Sequence, residues 1–97
     1  MKIIYIDIDE TICHNVVWND HTTAKPLPDK IAKANSLFDA GHRIVYWTAR
    51  GSTTNKDWSE LTKQQLSDWG VKYHELKFNK PFYDLFIDDK AINSIDW

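Results

Sequence analysis

The chain is poor in the features that mark disulfide scaffolds, membrane spans and nucleic-acid surfaces. Its 97 residues include one cysteine, Cys13, so no disulfide can form within it, and a reducing, cytoplasmic setting is expected. No apolar run approaches the ~20 residues of a membrane span. The first residues turn acidic at Asp7, too early for a secretory signal peptide. With a formal net charge of −2, the chain lacks the basic excess of a general phosphate-backbone binder.

What the chain does contain is typical of one globular domain spanning residues 1–97. Hydrophobic residues make up 42% of the sequence and aromatic residues 13%, enough for one modest core. The sequence shows no internal repeat, no low-complexity segment and no linker. A single small domain is therefore expected.

Apolar periodicity predicts strands that alternate with helices. The first strand candidate, 2–8, is rich in Ile and Tyr with little polar alternation, and is predicted to be a central strand buried on both faces. Residues 11–28 predict a loop or short hairpin, and 91–97 one or two helical turns. The alternation implies βαβ units and a parallel sheet. The other predicted elements are strands at 43–48, within 71–78 and at 83–87, helices at 29–40 and 57–69, and a loop at 49–55.

Polar side chains follow each predicted strand. Because ligands bind outside the carboxyl ends of parallel strands, these residues are expected to meet at one edge of the sheet. In chain order they are Asp7, Asp9 and Glu10, then Thr48 and Arg50, then Lys77 or Lys80, and finally Asp88 and Asp89.

The residue types at this edge indicate phosphoryl transfer. Carboxylates crowded together repel one another unless a cation joins them, and oxygen ligands alone favour Mg²⁺ over zinc. Lys80, with the hydroxyl and backbone N–H groups around Thr48, can hold an anion. An aspartate can attack phosphorus to form an aspartyl-phosphate, and a second carboxylate can protonate the leaving oxygen.

Four motifs in order resemble those of the haloacid dehalogenase (HAD) superfamily of phosphatases. Any one of them is weak alone, but all four follow predicted strands and together they cover nearly the whole chain. The nearer resemblance is to small capless members described as capsule-biosynthesis phosphatases. The motifs are Ile6-Asp7-Ile8-Asp9-Glu10-Thr11, Tyr46-Trp47-Thr48-Ala49-Arg50-Gly51, Asn79-Lys80-Pro81 and Leu85-Phe86-Ile87-Asp88-Asp89-Lys90-Ala91.

The resemblance implies a minimal three-layer α/β/α Rossmann-like core with a small parallel sheet and no cap domain. It makes Asp7 the nucleophile and Asp9 the general acid/base, and the presence of Asp9 favours a phosphatase over a dehalogenase. Mg²⁺ would be bound by Asp7 and Asp88 through side chains and by Asp9 through its carbonyl, with Asp89 a ligand or a neighbour of one. The implied phosphate-binding residues are Thr48, Ala49, Arg50 and Lys80.

Several assignments stay open at the level of sequence. Lys77 competes with Lys80 for the lysine role, and Arg50 is either a phosphate contact or a surface charge. Glu10 stands where many family members have glycine, which removes backbone freedom, and its side chain is expected to point to solvent. Cys13 is expected to be a small, partly buried residue, because no second cysteine or ligand spacing accompanies it.

The expected function is a Mg²⁺-dependent phosphomonoesterase with an open site. Because the segments between motifs are too short for a cap, either a large substrate or a second subunit of a homo-oligomer would cover the site. The substrate is a phosphorylated small molecule, such as a sugar phosphate, or a phosphorylated macromolecule. One alternative is a non-catalytic phosphate- and metal-binding regulatory module. Another is a nucleic-acid 3′-phosphatase, which the balanced charge disfavours.

Overall fold

The fold is built on a three-stranded parallel sheet with two helices, as seen in a computed structural model that describes residues 1–54 and 56–97. Asn55, at the end of the predicted 49–55 loop, lies outside the described residues. A short 3-10 turn at His21–Thr23 precedes the third strand. In chain order the elements are β1 (Ile3–Ile6), β2 (Cys13–Asn15), β3 (Ala24–Pro26), α1 (Pro28–Asp39), β4 (Arg43–Trp47), α2 (Ser59–Asp68) and β5 (Glu75–Lys77).

The main sheet has the order β1-β4-β5, and both neighbouring pairs are parallel. Ile6 pairs with Tyr46, and Tyr46 pairs with Leu76, so the three strands end at nearly the same level. The separate β2–β3 pair is antiparallel, which confirms the hairpin predicted within 11–28. The α/β alternation and the parallel sheet are therefore confirmed.

Residues at the two ends of α1 explain where this helix begins and ends. Pro28 occupies the first turn of α1, where its missing N–H costs nothing, and Asp29 in the same turn complements the helix dipole. The chain leaves α1 through Gly41, whose φ of +94° lies in the left-handed region that glycine enters without strain. Both helices connect parallel strands, and they therefore place the strand ends at the same edge.

The core lies between one face of the sheet and the two helices. Alternate strand residues on that face are buried, among them Ile6, Ile44 and Tyr46. They form one apolar cluster with Ala34 of α1 and Leu66 of α2. This burial fixes the orientation of β1, because shifting a strand by one residue would turn its apolar side chains to solvent.

The opposite face of the sheet, here called the open face, corrects the prediction for the first strand. Ile3 and Tyr5 are 63% and 51% exposed, so β1 is not buried on both faces. Within residues 1–54 and 56–97, β1 also pairs with one strand alone and is an edge strand. The Tyr5 ring packs edge-on against Trp47, and its hydroxyl accepts a hydrogen bond from Lys77. An apolar run cannot distinguish a central strand from an edge strand with apolar residues on both faces.

The predicted strand at 83–87 is wrong for this structure. These five residues adopt no strand and their side chains are exposed. A strand exists only where its backbone groups find a partner, and sequence preference alone cannot supply one. The tail forms one hydrogen-bonded turn in which Asp96 N–H donates to the Asn93 carbonyl and Trp97 N–H to the Ser94 carbonyl.

The described layers are one sheet and the two helices packed on it. The third layer of the core that the HAD resemblance implies stays a prediction. Of the helices in the described residues, none is both long and apolar enough to cross a bilayer.

Candidate active site

Three of the four predicted motifs meet at the carboxyl ends of the strands. Asp7 and Asp9 follow β1, and Thr48 and Arg50 follow β4. The segment after β5 is tied to them, because Thr48 N–H donates to the Lys77 carbonyl and Lys80 N–H donates to the Thr48 carbonyl, at 3.0 and 3.1 Å. The common edge expected from the sequence is thus confirmed for β1, β4 and β5.

Asp7 is a partly desolvated carboxylate beside a lysine. Its Oδ1 lies 3.9 Å from Lys80 Nζ. Burial raises the pKa of Asp7 above its ordinary value, and the nearby Lys80 charge opposes that rise without cancelling it. A carboxylate held in this way has lost part of its hydration, which makes its oxygens better able to contact an incoming electrophile.

The structure separates the two competing lysines. Lys80 reaches Asp7, whereas Lys77 Nζ lies 3.3 Å from the Tyr5 hydroxyl on the open face. Lys80 is also flanked by aromatic rings, 6.0 Å from the Trp47 ring centre and 5.4 Å from that of Tyr83. Position alone therefore favours Lys80 as the residue able to contact an anion at Asp7.

Asp9 is held by a buried arginine. Arg50 donates to the Asp9 carboxylate from Nε at 3.0 Å and from Nη2 at 2.8 Å, and the Arg50 side chain has no solvent exposure. The remaining guanidinium nitrogen, Nη1, donates to Gln65 at 2.6 Å and Thr62 at 3.0 Å. Arg50 is therefore not a surface charge. In this arrangement all three of its nitrogens bind protein groups.

The Asp9 carboxylate has two further neighbours from the hairpin. Asn15 Nδ2 donates to it at 2.9 Å, and His21 Nδ1 lies 3.5 Å away. The His21 ring is buried and packs edge-on against Trp58, with ring centres 4.8 Å apart. Burial alone would raise the pKa of Asp9, but the interactions with His21 and Arg50 outweigh it and hold that pKa far below its usual value.

Sequence reasoning missed the residues that surround this ion pair. Asn15, His21, Thr62 and Gln65 come from the hairpin and from α2, and no spacing along the chain relates them to Asp9 or Arg50. The one available signal is the presence of polar residues at positions that the α2 periodicity buries, namely Thr62 and Gln65.

The backbone around Thr48 offers a second polar feature. The Thr48 side chain is fully buried and its hydroxyl accepts a hydrogen bond from Arg50 N–H at 3.1 Å. Ala49 is half-buried, and its carbonyl accepts from Ser52 N–H, which closes a tight turn after β4. The predicted phosphate-binding residues Thr48, Ala49 and Lys80 thus lie on connected segments at the same edge.

A shallow cleft of about 220 Å³ opens beside these residues. Its lining includes Arg50, Trp58 and Asn79, and the Lys56 ammonium lies 4.3 Å from the centre of the Trp58 ring. The cleft is open to solvent, and the open active site expected from the short segments between the motifs stays a prediction.

The acidic pair of the fourth motif does not join the site. Asp88 and Asp89 are exposed, on the segment predicted as the last strand. Among residues 1–54 and 56–97, no three His, Cys, Asp or Glu side chains are grouped to hold a metal ion. The expected convergence of Asp88 with Asp7 is not formed in this arrangement, because residues 83–87 lie outside the sheet. Mg²⁺ in phosphoryl-transfer sites is held by one or two carboxylates, with water and phosphate oxygens as its other ligands, so Asp7 and Asp9 fit it and the Mg²⁺ site stays a prediction.

Cys13 is more deeply buried than expected. Its side chain has no solvent exposure and its sulfur lies 3.6 Å from the Ile8 carbonyl oxygen. Burial, with the negative charge of Asp9 nearby, raises the pKa of the Cys13 thiol to about 12. The thiolate is therefore disfavoured, and Cys13 serves as an apolar core residue.

Glu10 adopts the backbone conformation that glycine prefers. Its φ is +60°, in the left-handed region that costs an L-residue free energy. Its side chain is exposed, as expected, and its carboxylate lies 3.0 Å from His14 Nδ1. The turn therefore keeps a glycine-type geometry without glycine.

Comparison with known proteins shows the fold alone. No family model matches the chain, and no curated protein sequence matches it. The crystal structure of a structural-genomics target from Vibrio cholerae superposes with a TM-score of 0.86 at 25% sequence identity. The superposition covers 99% of this chain and 86% of that one. The description of that protein names no activity, so the likeness supports the α/β fold and says nothing of function.

The Asp9–Arg50 pair predicts a specific acid sensitivity. Because the pKa of Asp9 is lowered on folding, its contribution to stability is present above its ordinary pKa of 3.8 and is lost as the pH falls below that value. Asp9→Asn should lower the free energy of unfolding at pH 7 by about 3 kcal/mol, since it leaves buried Arg50 unpaired. It should also flatten the loss of stability below pH 4. Urea unfolding from pH 2.5 to 7 with chelator present measures both effects.

Asp68→Asn is the matched control for that experiment. Asp68 is exposed on α2, where it accepts a hydrogen bond from Gln64. This variant should keep the acid dependence of the wild type. An Asp9→Asn protein with an unchanged acid profile would contradict the account of the buried pair.

The strained backbone at Glu10 predicts an order of stabilities. Glu10→Gly and Glu10→Ala both remove the carboxylate, but only glycine relieves the left-handed strain. Glu10→Gly should therefore be about 1 kcal/mol more stable to urea than Glu10→Ala. Equal stabilities would show that the turn relaxes to a different conformation in the variants.

Proposed function

We propose that this protein is a Mg²⁺-dependent phosphomonoester hydrolase of the HAD type that acts through an aspartyl-phosphate on Asp7. The observation that carries the proposal is the pairing of a half-buried Asp7 with Lys80 at the carboxyl edge of a parallel sheet, where Thr48 ends the neighbouring strand. The three-layer core and the cytoplasmic setting belong to the same proposal.

The proposed chemistry has two steps. An Asp7 carboxylate oxygen attacks phosphorus, an oxygen–phosphorus bond forms, and the bond to the leaving oxygen breaks as that oxygen takes up a proton. Asp9, deprotonated in the first step, then takes a proton from water as that water attacks phosphorus. The Asp7–phosphorus bond breaks, which releases inorganic phosphate and restores the Asp7 carboxylate. Lys80 offsets negative charge on the transferring group, and the Thr48 hydroxyl proton and the Ala49 N–H orient it.

Asp9 is the proposed general acid, and its environment sets a condition on that role. A carboxyl group must carry a proton to donate one, whereas the contacts with Arg50 and His21 strongly favour the ionised form of Asp9. Catalysis by Asp9 therefore requires the Arg50 guanidinium to move away from the Asp9 carboxylate when substrate binds. In that state Arg50 would also be able to contact phosphate, as the resemblance implies.

Mg²⁺ is part of the proposal, with Asp7, Asp9, Asp88 and Asp89 as its candidate ligands. The metal would supply positive charge to balance the crowded carboxylates and the phosphate. Because the exposed acidic pair does not lie with Asp7 in this arrangement, the proposal requires Asp88 or Asp89 to reach the end of β1.

The proposed substrate is a phosphorylated small molecule, such as a sugar phosphate, or a larger phosphorylated molecule. The open cleft beside Arg50 and Trp58 supports a substrate that covers the site itself. A nucleic-acid 3′-phosphatase is the weaker alternative, since the net charge of −2 offers little attraction to a polyphosphate backbone.

A second candidate function is a non-catalytic module that binds phosphate or metal. It is favoured by the Asp9–Arg50 pair, which occupies the proposed acid and is fully satisfied by protein groups. Such a module would bind phosphate analogues such as vanadate without turning over any member of a broad phosphate-ester panel. Turnover that depends on Asp7 would exclude it.

Asp7, the proposed nucleophile, can be tested by the effect of one substitution on both activity and stability. Asp7→Asn should abolish hydrolysis of an aryl phosphate with Mg²⁺ present. It should not destabilise the fold at pH 7, because burial raises the pKa of Asp7 and so makes its charge unfavourable above pH 4. Initial rates with and without chelator, and melting temperatures at pH 7 in chelator, measure the two effects.

Asp39→Asn is the control for Asp7→Asn, because Asp39 is an exposed residue whose carboxylate pairs with Lys72 on the surface. It should keep wild-type activity. Activity retained by Asp7→Asn, or wild-type turnover that chelator does not reduce, would rule out the proposed mechanism.

The two lysines predict contrasting kinetics. Lys80→Gln should lower kcat/KM by about 10- to 100-fold, the usual effect of losing one charge-assisted hydrogen bond to the substrate. Lys77→Gln should leave kcat/KM within about twofold, since Lys77 lies on the open face against Tyr5. Equal losses in the two variants would remove Lys80 from the site.

A further inference from the structure

The segment from residue 82 to residue 92, here called the arm, is an apolar stretch exposed to solvent. It begins just after Lys80 and carries the acidic pair near its middle. Large exposed apolar residues seldom cluster on a stable monomer, and where they do they mark an interaction surface. The exposed apolar residues of the arm are Phe82, Tyr83, Leu85, Phe86, Ile87 and Ile92.

The arm is anchored to its own chain at both ends, and the residues between the anchors are exposed and form no strand. At one end Lys80 N–H donates to the Thr48 carbonyl, and the Ser52 hydroxyl donates to the Lys80 carbonyl at 2.8 Å. At the other end the Ser94 hydroxyl donates to the Glu10 carbonyl, and Lys30 donates to the Ser94 carbonyl. Between these anchors the aromatic rings of the arm pack on each other, with the Tyr83 and Phe86 centres 5.2 Å apart.

One edge of β1 is unpaired and could accept the arm as a strand. Within residues 1–54 and 56–97, β1 has β4 on one side and no strand on the other. An edge strand of this kind is a template for pairing with another chain. The open face beside it exposes Ile3 and Tyr5. The strand therefore presents unpaired backbone groups along its edge and apolar side chains on its face.

The chain exposes more surface than is usual for a folded monomer of its mass. The chain exposes 6541 Å². A folded monomer of this mass is expected to expose about 5,800 Å². The excess, on the order of 700–800 Å², is close to the roughly 800 Å² that each partner buries in a standard interface.

We propose that the arm of one chain pairs with the β1 edge of a second copy, in a symmetric exchange that completes each active site with the partner's acidic pair. Every copy has one arm and one open edge, so two copies related by a twofold axis satisfy both at once. If residues 83–87 run parallel to Ile3–Ile6, Asp88 and Asp89 come to the end of β1 where Asp7 begins. The inference rests on the proposed function for the role of that acidic pair.

The exchange brings the four candidate metal ligands together at one sheet edge. One chain gathers Asp7 and Asp9, and the acidic residues missing from that group are the two that the arm carries outward. Addition of the arm to β1 also removes the open edge and covers apolar surface on the open face. One contact between copies thus accounts for the exposed arm, the unpaired edge and the incomplete set of carboxylates.

Solution mass is the first test. The full wild-type chain should sediment at twice its mass of 11.4 kDa at tens of micromolar. Ile87→Glu should convert it to the monomer, whereas Ile95→Glu should not. The two isoleucines are matched controls, with 87% and 86% exposure, but only Ile87 lies in the arm. A wild-type chain that is monomeric at this concentration would overturn the proposal.

A cross-link tests which surfaces meet, independently of activity. Tyr5→Cys chains mixed with Leu85→Cys chains should give a disulfide-linked dimer under mild oxidation by diamide. Cys13 is fully buried and does not compete. A single chain that carries both substitutions and links only within itself would show that the arm returns to its own sheet, contrary to the proposal.

Complementation tests the shared site. Asp7→Asn chains and chains with both Asp88→Asn and Asp89→Asn should each be inactive. Refolded together in equal amounts, they should recover about one quarter of wild-type activity, because half of the randomly formed dimers contain one complete site. No recovery, with an active wild type, would overturn the exchange of the acidic pair. A wild type inactive on all phosphate esters would instead refute the proposed function, and the mass and the cross-link would then decide the arm exchange alone.

Discussion

The buried ion pair between Asp9 and Arg50 is the constraint around which the site is organised. The guanidinium has no solvent exposure and satisfies its donors on Asp9, Thr62 and Gln65, which ties the end of β1 to α2. Removing either partner would leave a buried charge unpaired, a cost of several kcal/mol. The polar edge of the sheet is therefore a cross-linked network as well as a candidate reaction site.

The same network places the two aspartates in different electrostatic environments. Asp9 is stabilised as an anion by its neighbours, while burial raises the pKa of Asp7 despite the nearby Lys80 charge and a backbone hydrogen bond at Ile8. Pairs of carboxylates whose environments push their pKa values apart are typical of sites that need one nucleophile and one proton carrier. In that pattern the proton is carried by the carboxyl group with the raised pKa, which here is Asp7, so the resting arrangement is the reverse of the proposed roles. The proposal therefore requires Arg50 to release Asp9 before Asp9 carries a proton.

The sheet edge connects this chemistry to the rest of the molecule. β1 carries the two aspartates at its end and an unpaired backbone along its side, so whatever covers that side lies next to Asp7. The exposed arm, with its apolar residues and its acidic pair, has the composition that such a cover needs. In the proposed exchange, assembly and completion of the site are the same event, and an isolated chain would be poor at the chemistry.

The sequence by itself determined the alternation of strands and helices, the helix ends at Pro28 and Gly41, and the gathering of Asp7, Asp9 and Thr48 at one edge; the choice of Lys80 over Lys77 needed the structure. These depend on local periodicity and on the rule that parallel strands end together, both readable along the chain. The left-handed turn at Glu10 was indicated by the resemblance, in which many members have glycine at this position, and not by the residues of this chain.

Tertiary structure alone decided that β1 lies at an edge, that Arg50 is buried against Asp9, that His21 packs beside that carboxylate and that Asp88 stands apart from Asp7. Each of these depends on a partner distant in the chain. Strand order, the counter-ion of a charge and the cover of an exposed segment are set by which surfaces meet. The apolar periodicity of a segment shows which of its own residues are buried, but not which distant segment covers them.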